Sequence, residues 1–168
     1  MPYVDIVLIA IIAAFGLFGL WFGLVSTLGS IAGTVLGVYL ASRFYMIPAD
    51  WLMKITGWTG NFSKVVMFIL GFLIINRLVG ISFYLLDKIL FVVTSLPIIH
   101  GVNKILGLIF GITEGVLVVG ISLYFILHFP LQLPFMTMLA SSNVATYCTG
   151  LTSFLWPLLP QVLVMIKI

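Results

Sequence analysis

The chain has 168 residues, of which 63% are hydrophobic and only 7% are charged. Soluble domains carry about 25% charged residues, so this composition excludes an ordinary soluble domain and predicts an all-α, polytopic membrane protein. The net charge is +3, but the seven basic residues stand singly along the chain, which excludes a nucleic-acid-binding patch.

The first two predicted spans share one uncharged stretch. Between Asp5 and Arg43 lie 37 residues without a charge. As a single helix they would extend about 55 Å, against a hydrocarbon core about 30 Å thick. We therefore predict two spans, about 5–20 and 24–43, joined by a tight turn in the glycine-rich stretch 16–23. A single long, kinked helix is the alternative.

The stretch 44–64 has the composition of a membrane interface, where aromatic rings and charged side chains mix. Pro48 and Gly57 are suited to begin and end a short helix lying on the membrane. A third span is predicted over about 65–86, and a fourth over about 105–127.

The rest of the chain, 129–168, is expected at the interface, so residues 1–168 form a single membrane domain. Prolines and small polar residues interrupt this tail. Its last apolar stretch, 151–166, has 16 residues and is short for a span. This length favours an interfacial or re-entrant helix, with a fifth span as the alternative.

Glycines recur every fourth residue in the second and fourth spans. Residues at i, i+4 and i+8 lie along one face of a helix, and glycines there let another helix approach closely. Helices gain little from hydrophobicity when they associate in lipid, so such faces supply packing, either with each other or with further helices. The predicted helix-packing residues are Gly29, Gly33 and Gly37 in the second span and Gly107, Gly111 and Gly115 in the fourth.

Two ionisable side chains lie well inside predicted spans, where a charge costs roughly 3 kcal/mol or more. Arg77 lies 12 residues after Val65, about 18 Å from that side of the membrane. Glu114 lies 13 residues before Leu127, about 19.5 Å from the same side if the two spans are antiparallel neighbours. We predict an intramembrane Arg77–Glu114 charge pair with Asn76 as a polar partner. A structural role in helix register is favoured, and a proton or ion relay is the alternative.

The sequence has no pattern typical of an enzyme or a cofactor site. No GxSxG, HExxH or P-loop motif occurs, and the two histidines are isolated. The one cysteine, Cys148, excludes an intramolecular disulfide. We therefore expect no enzyme activity, no catalytic residues, no cofactor and no metal site.

An aspartate precedes the first span, a glycine lies at the first turn, and a glycine-rich signature opens the fourth span. This order resembles the colicin V production (CvpA-like) family of small bacterial inner-membrane proteins. The family signature reads approximately Asp-Arg-x-x-Gly-x-x-x-Gly-x-x-Arg-Gly. The chain departs from it at Asn103, where the family has aspartate, and at Glu114, where it has arginine. The matching residues are Asp5, Gly23, Asn103, Lys104, Gly107, Phe110, Gly111, Glu114 and Gly115.

The resemblance implies a multi-pass protein of the bacterial cytoplasmic (inner) membrane, linked to peptide-toxin production or export and to envelope homeostasis. We expect a non-enzymatic scaffold or accessory. A small transporter or channel with Arg77 and Glu114 at its centre is the alternative. The expected partners are membrane lipid and either further copies of the chain or envelope and export membrane proteins, with no nucleic acid.

Overall fold

Helices make up nearly all of the described residues in the computed structural model, which describes residues 2–58, 60–91, 97–128, 136–153 and 155. Four of the helices are long and apolar enough to cross a membrane. The predicted all-α membrane protein with four spans is therefore confirmed. In chain order the helices are α1 (Pro2–Phe22), α2 (Leu24–Phe44), α3 (Met46–Thr56), α4 (Gly60–Phe91), α5 (Pro97–His128), α6 (Met136–Ala140) and α7 (Asn143–Leu151).

The chain reverses between α1 and α2 at a single residue, Gly23. Its φ of 85° lies in the left-handed region, which glycine adopts without strain. The N–H of Gly23 donates to the carbonyl of Gly19 at 2.8 Å, and the N–H of Thr27 donates to the carbonyl of Gly23 at 3.2 Å. The turn thus leaves few backbone groups unpaired, as lipid requires. The uncharged stretch forms two helices rather than one kinked helix.

Helix α3 follows α2 almost directly and ends at a glycine. Gly57 has a φ of 67° and its N–H donates to the carbonyl of Met53 at 2.9 Å, a left-handed helix ending. Three apolar side chains spaced four residues apart, Ile47, Trp51 and Ile55, lie exposed on one face of α3. A single apolar face of this kind suits a helix lying at a membrane interface.

The four long helices are not packed in chain order. Helix α5 lies between α1 and α2, and α4 packs on α2. Helix α1 runs antiparallel to α5, because Gly19 contacts Gly107 while Ile12 contacts Gly115. The backbones of α4 and α5 approach each other at few points, and the two helices meet through side chains, such as the stacked rings of Phe68 and Phe125.

Aromatic rings close one end of the bundle. Phe68 and Phe72 of α4 and Phe125 of α5 are fully buried, and the rings of Phe68 and Phe125 stack at 3.7 Å between centroids. Tyr45, at the end of α2, meets Phe125 edge-on at 5.5 Å. This group, which we call the aromatic block, belongs to the larger of two buried apolar clusters.

Helices α4 and α5 have 32 residues each, about 48 Å of helix, so they exceed a hydrocarbon core about 30 Å thick. In the tail, α7 packs on α5 and α1. It meets α5 at Gly120, where a Cβ atom would overlap the carbonyl oxygen of Cys148. Residue 154 and residues 156–168 lie outside the described part of the chain, and with them most of the stretch for which an interfacial helix or a fifth span was expected.

Candidate functional site

The signature glycines of α5 lie directly against the backbone of α1. A Cβ atom on Gly111 would lie 2.6 Å from the carbonyl oxygen of Phe15, and one on Gly115 would lie 3.1 Å from the Cα of Ile12. A Cβ on Gly107 would overlap the carbonyl oxygen of Gly19. Backbone of α1 therefore occupies the space that three side chains would need. Such an approach maximises van der Waals contact between two helices in lipid.

The glycines of α2 lie against α4 in the same way. A Cβ on Gly33 would lie 2.8 Å from the carbonyl oxygen of Asn76, and one on Gly37 would lie 3.0 Å from the ring of Phe72. Gly29 faces the side chain of Phe83. The two glycine faces thus do not meet each other, since each receives a different helix.

Asn103 caps the N-terminus of α2 from another helix. Its Oδ1 accepts a hydrogen bond of 2.9 Å from the N–H of Leu24, one of the backbone donors that a helix start leaves unpaired. A Cβ on Gly23 would lie 2.6 Å from the Asn103 amide nitrogen, so the glycine also makes room for the cap. The family aspartate could accept the same bond, because asparagine and aspartate are similar caps. The departure at this position therefore preserves the contact.

Asp5 caps the start of α7 in a similar way. Its Oδ1 accepts from the hydroxyl of Ser142, the residue that precedes α7, and from the N–H of Val144 at 3.3 Å. Ser142 in turn accepts from the N–H of Ala145 at 3.0 Å. Asp5 thus joins the start of the first helix to the start of the last described one, and its charge complements the positive end of α7.

The buried carboxyl of Glu114 faces α2 and α4. Glu114 is 4% exposed, and its neighbours include the side chains of Ser30 and Asn76. The Asn76 amide donates to the Ser30 carbonyl at 2.9 Å and to the Thr34 hydroxyl at 2.7 Å. The Oε1 atom of Glu114 has no hydrogen-bond partner. We call Ser30, Thr34, Asn76 and Glu114 the polar cluster.

Arg77 lies near this cluster without touching Glu114. Its guanidinium carbon lies 5.0 Å from the ring centre of Phe18 and 5.6 Å from that of Phe22, a cation–π arrangement. Its charge acts on Glu114 through space, but the two side chains make no ion pair within 4.0 Å. The side chains that lie beside the carboxyl are instead those of Ser30 on α2 and Asn76 on α4. A direct Arg77–Glu114 pair stays a prediction, and the structure supports electrostatic coupling alone.

The remaining signature positions have surface character: Lys104 is exposed and Phe110 is half-buried. Sequence reasoning missed the contact partners of Asn103 and Asp5, as well as the role of Gly19. The spacing of Gly19 four residues before Gly23 is a signal that could have identified it as part of the packing face.

One family model, described as colicin V production protein, matches residues 4–153. This match covers most of the chain, from the first turn of α1 to the end of α7. It includes every signature residue named above. Searches of curated proteins and of solved structures found no match.

Proposed function

The chain belongs to the colicin V production protein family, and from this premise we propose that it is a non-enzymatic scaffold or accessory in peptide-toxin production and export. We further propose that it works in the bacterial inner membrane and contributes to envelope homeostasis. The family match carries this proposal, since it covers nearly the whole chain. Four membrane-spanning helices suit such a site of action.

The contacts of the signature residues support a scaffold rather than a reaction centre. Gly107 and Gly111 hold α1, Asn103 holds the start of α2, and Asp5 holds the start of α7. In each case, the contact that the residue makes positions a helix. The signature therefore maintains a shape, and we infer that this shape presents surfaces to partners.

The surface best placed to meet a partner is an apolar stripe on α5. Val102, Ile105, Ile109 and Ile112 recur at helical spacing and are 42–59% exposed. They lie on the helix that carries the signature glycines. In the membrane this stripe meets lipid or the helix of another protein.

The alternative, a small transporter or channel, has weaker support. The polar cluster occupies one part of the bundle. One turn after Gly33, Gly37 packs against the ring of Phe72, which belongs to the aromatic block. The buried rings of Phe68 and Phe125 continue this block. The fully buried rings thus lie between the polar cluster and Ser63 at the start of α4 and interrupt the polar side chains, whereas a transport route needs a continuous polar lining.

Photocrosslinking in native membranes tests the scaffold proposal. A photoreactive residue replaces Ile109, which is 53% exposed, and the matched control carries it at Val118 on the same helix, which is 4% exposed. We expect Ile109 to crosslink to a distinct envelope or export protein and Val118 to crosslink within the chain. Crosslinks from Ile109 to copies of the chain alone would contradict the accessory role and point to a self-contained oligomer.

A further inference from the structure

A small cleft lies between α1, α2 and α4, near the turn that joins α1 and α2. Its volume is about 30 Å³, and its polar lining comes from Ser26, Ser30, Arg77 and Tyr84. A buried water needs roughly 10–15 Å³ of such space and two or more polar partners. The cleft is therefore large enough, and polar enough, to hold one or two water molecules.

The cleft ends beside the polar cluster. Ser30 lines the cleft and is also a neighbour of the Glu114 carboxyl. Glu114 is 96% buried, yet its Oε1 has no partner. An unpaired carboxylate oxygen inside a membrane protein is costly. A bound proton or a water molecule at this oxygen removes most of that cost.

Access to Glu114 is one-sided. Phe22 and Ser26, which line the cleft, lie within three residues of Gly23, so this end of the cleft lies near the α1–α2 turn, where the first two spans meet. On the other side lies the aromatic block. Arg77 and Tyr84, both from α4, are the titratable groups that line the cleft, while α2 contributes hydroxyls and α1 contributes the ring of Phe22.

We propose that Glu114 is a proton-exchanging carboxyl, served by one or two waters in this cleft from the side of the α1–α2 turn. On release, the proton passes from the carboxyl through the Ser30 hydroxyl to a cleft water and on to bulk water, leaving a carboxylate in the field of Arg77. On uptake, the same path delivers a proton from bulk water. The ligand of the site is therefore water and its proton. The inference does not depend on the scaffold role, because proton exchange needs no partner protein.

Gly80 keeps the cleft open. It lines the cleft, and a Cβ atom there would overlap the hydroxyl oxygen of Ser30. Gly80→Ala therefore fills the space beside Ser30 with a methyl group. Gly71 provides a matched control on the same helix, since a Cβ there would meet just the Ala41 Cβ, at an ordinary 3.9 Å.

The test is infrared spectroscopy of the full-length protein in lipid nanodiscs after a rapid drop in pH. Subtracting the response of Glu114→Gln isolates the protonation of Glu114. In the wild type and in Gly71→Ala we expect the Glu114 signal to develop as fast as the solution is mixed. In Gly80→Ala we expect it to be at least about tenfold slower, because exchange then requires local opening of packed helices.

A second variant tests the proposal even if Gly80→Ala fails to fold. Ser30→Ala removes the hydroxyl that borders the carboxyl and introduces no added bulk, and we expect it to change the pH midpoint of the Glu114 signal. Ser82→Ala, on an exposed face of α4, should leave that midpoint unchanged. A Glu114 signal that never appears in the wild type would overturn the proposal. Equal rates in Gly80→Ala and Gly71→Ala, or an unchanged midpoint in Ser30→Ala, would do the same.

Discussion

The close contact of α1 with α5 makes a quantitative prediction for Gly111→Ala. The new Cβ would lie 2.6 Å from the Phe15 carbonyl oxygen, 3.0 Å from the Cα of Gly19 and 3.2 Å from the Cα of Gly16. All three atoms belong to the backbone of α1. Since ordinary Cβ contacts begin at 3.4 Å, α1 has to move away from α5 by about 0.8 Å. A rigid helix backbone cannot relieve the overlap by rotating a side chain.

The expected cost follows from two opposing effects. Overpacking a close contact destabilises a protein by about 1–3 kcal/mol, whereas replacing glycine by alanine in a helix interior stabilises it by up to about 1 kcal/mol. Gly101→Ala isolates the second effect, because it lies on α5 and a Cβ there meets no atom within 4 Å. The difference between the two variants is therefore the packing cost alone, about 1–3 kcal/mol.

The free energy of unfolding is measured for both variants in bicelles by titration with a denaturing detergent, with tryptophan fluorescence as the readout. Gly111→Ala should unfold at lower detergent than the wild type, and Gly101→Ala at equal or higher detergent. Equal stability of the two variants would refute the reasoning, because it would mean that α1 can leave the glycine face without loss.

Three further predictions concern the polar contacts. Asn103→Ala should lower the free energy of unfolding by about 1 kcal/mol in the same titration, whereas Asn103→Asp should lower it less, because aspartate also accepts from the Leu24 N–H; equal losses would contradict the cap. Asp5→Asn and Ser142→Ala should each speed amide exchange at the start of α7, and the double variant should be no faster than the worse single variant; additive effects would argue against a shared contact. In a double-mutant cycle with Arg77→Gln and Glu114→Gln, we expect a small coupling energy, below about 1 kcal/mol, because the side chains interact through space without contact; a coupling of several kcal/mol would indicate a direct pair.

The helices could be predicted from the sequence because the constraint on them is strong. In lipid every backbone polar group has to be satisfied within the protein, so long uncharged runs leave helices as the available structure. The turn at Gly23 could also be predicted, because two spans have to share one apolar run and glycine suits a tight reversal of the chain. The hydropathy pattern thus indicated four spans, and the helices extend beyond the last two predicted spans, α4 by five residues at each end and α5 by eight residues at its start and one at its end.

The pairing of helices could not be predicted in the same way. A row of glycines identifies a face but carries no information about which helix fills it, so the packing of α5 on α1 and of α4 on α2 could not be read from the sequence. Asn103 and Asp5 posed a related difficulty. Each caps a helix far away in the sequence, 79 residues from Leu24 and 137 residues from Ser142, and capping rules describe local sequence. Glu114 was recognisable as an unusual residue, but its neighbour Ser30 became visible through the packing of α2.

The position of α5 between α1 and α2 has a consequence for membrane insertion. A chain made from its N-terminus delivers α1 and α2 first, yet the partner of α1 is the last of the four spans to be synthesised. After α1 and α2 are inserted, the surface of α1 that contacts α5 therefore faces lipid until α5 is inserted beside it. We therefore expect that lipid or a membrane chaperone keeps α1 and α2 from packing against each other before α5 is inserted.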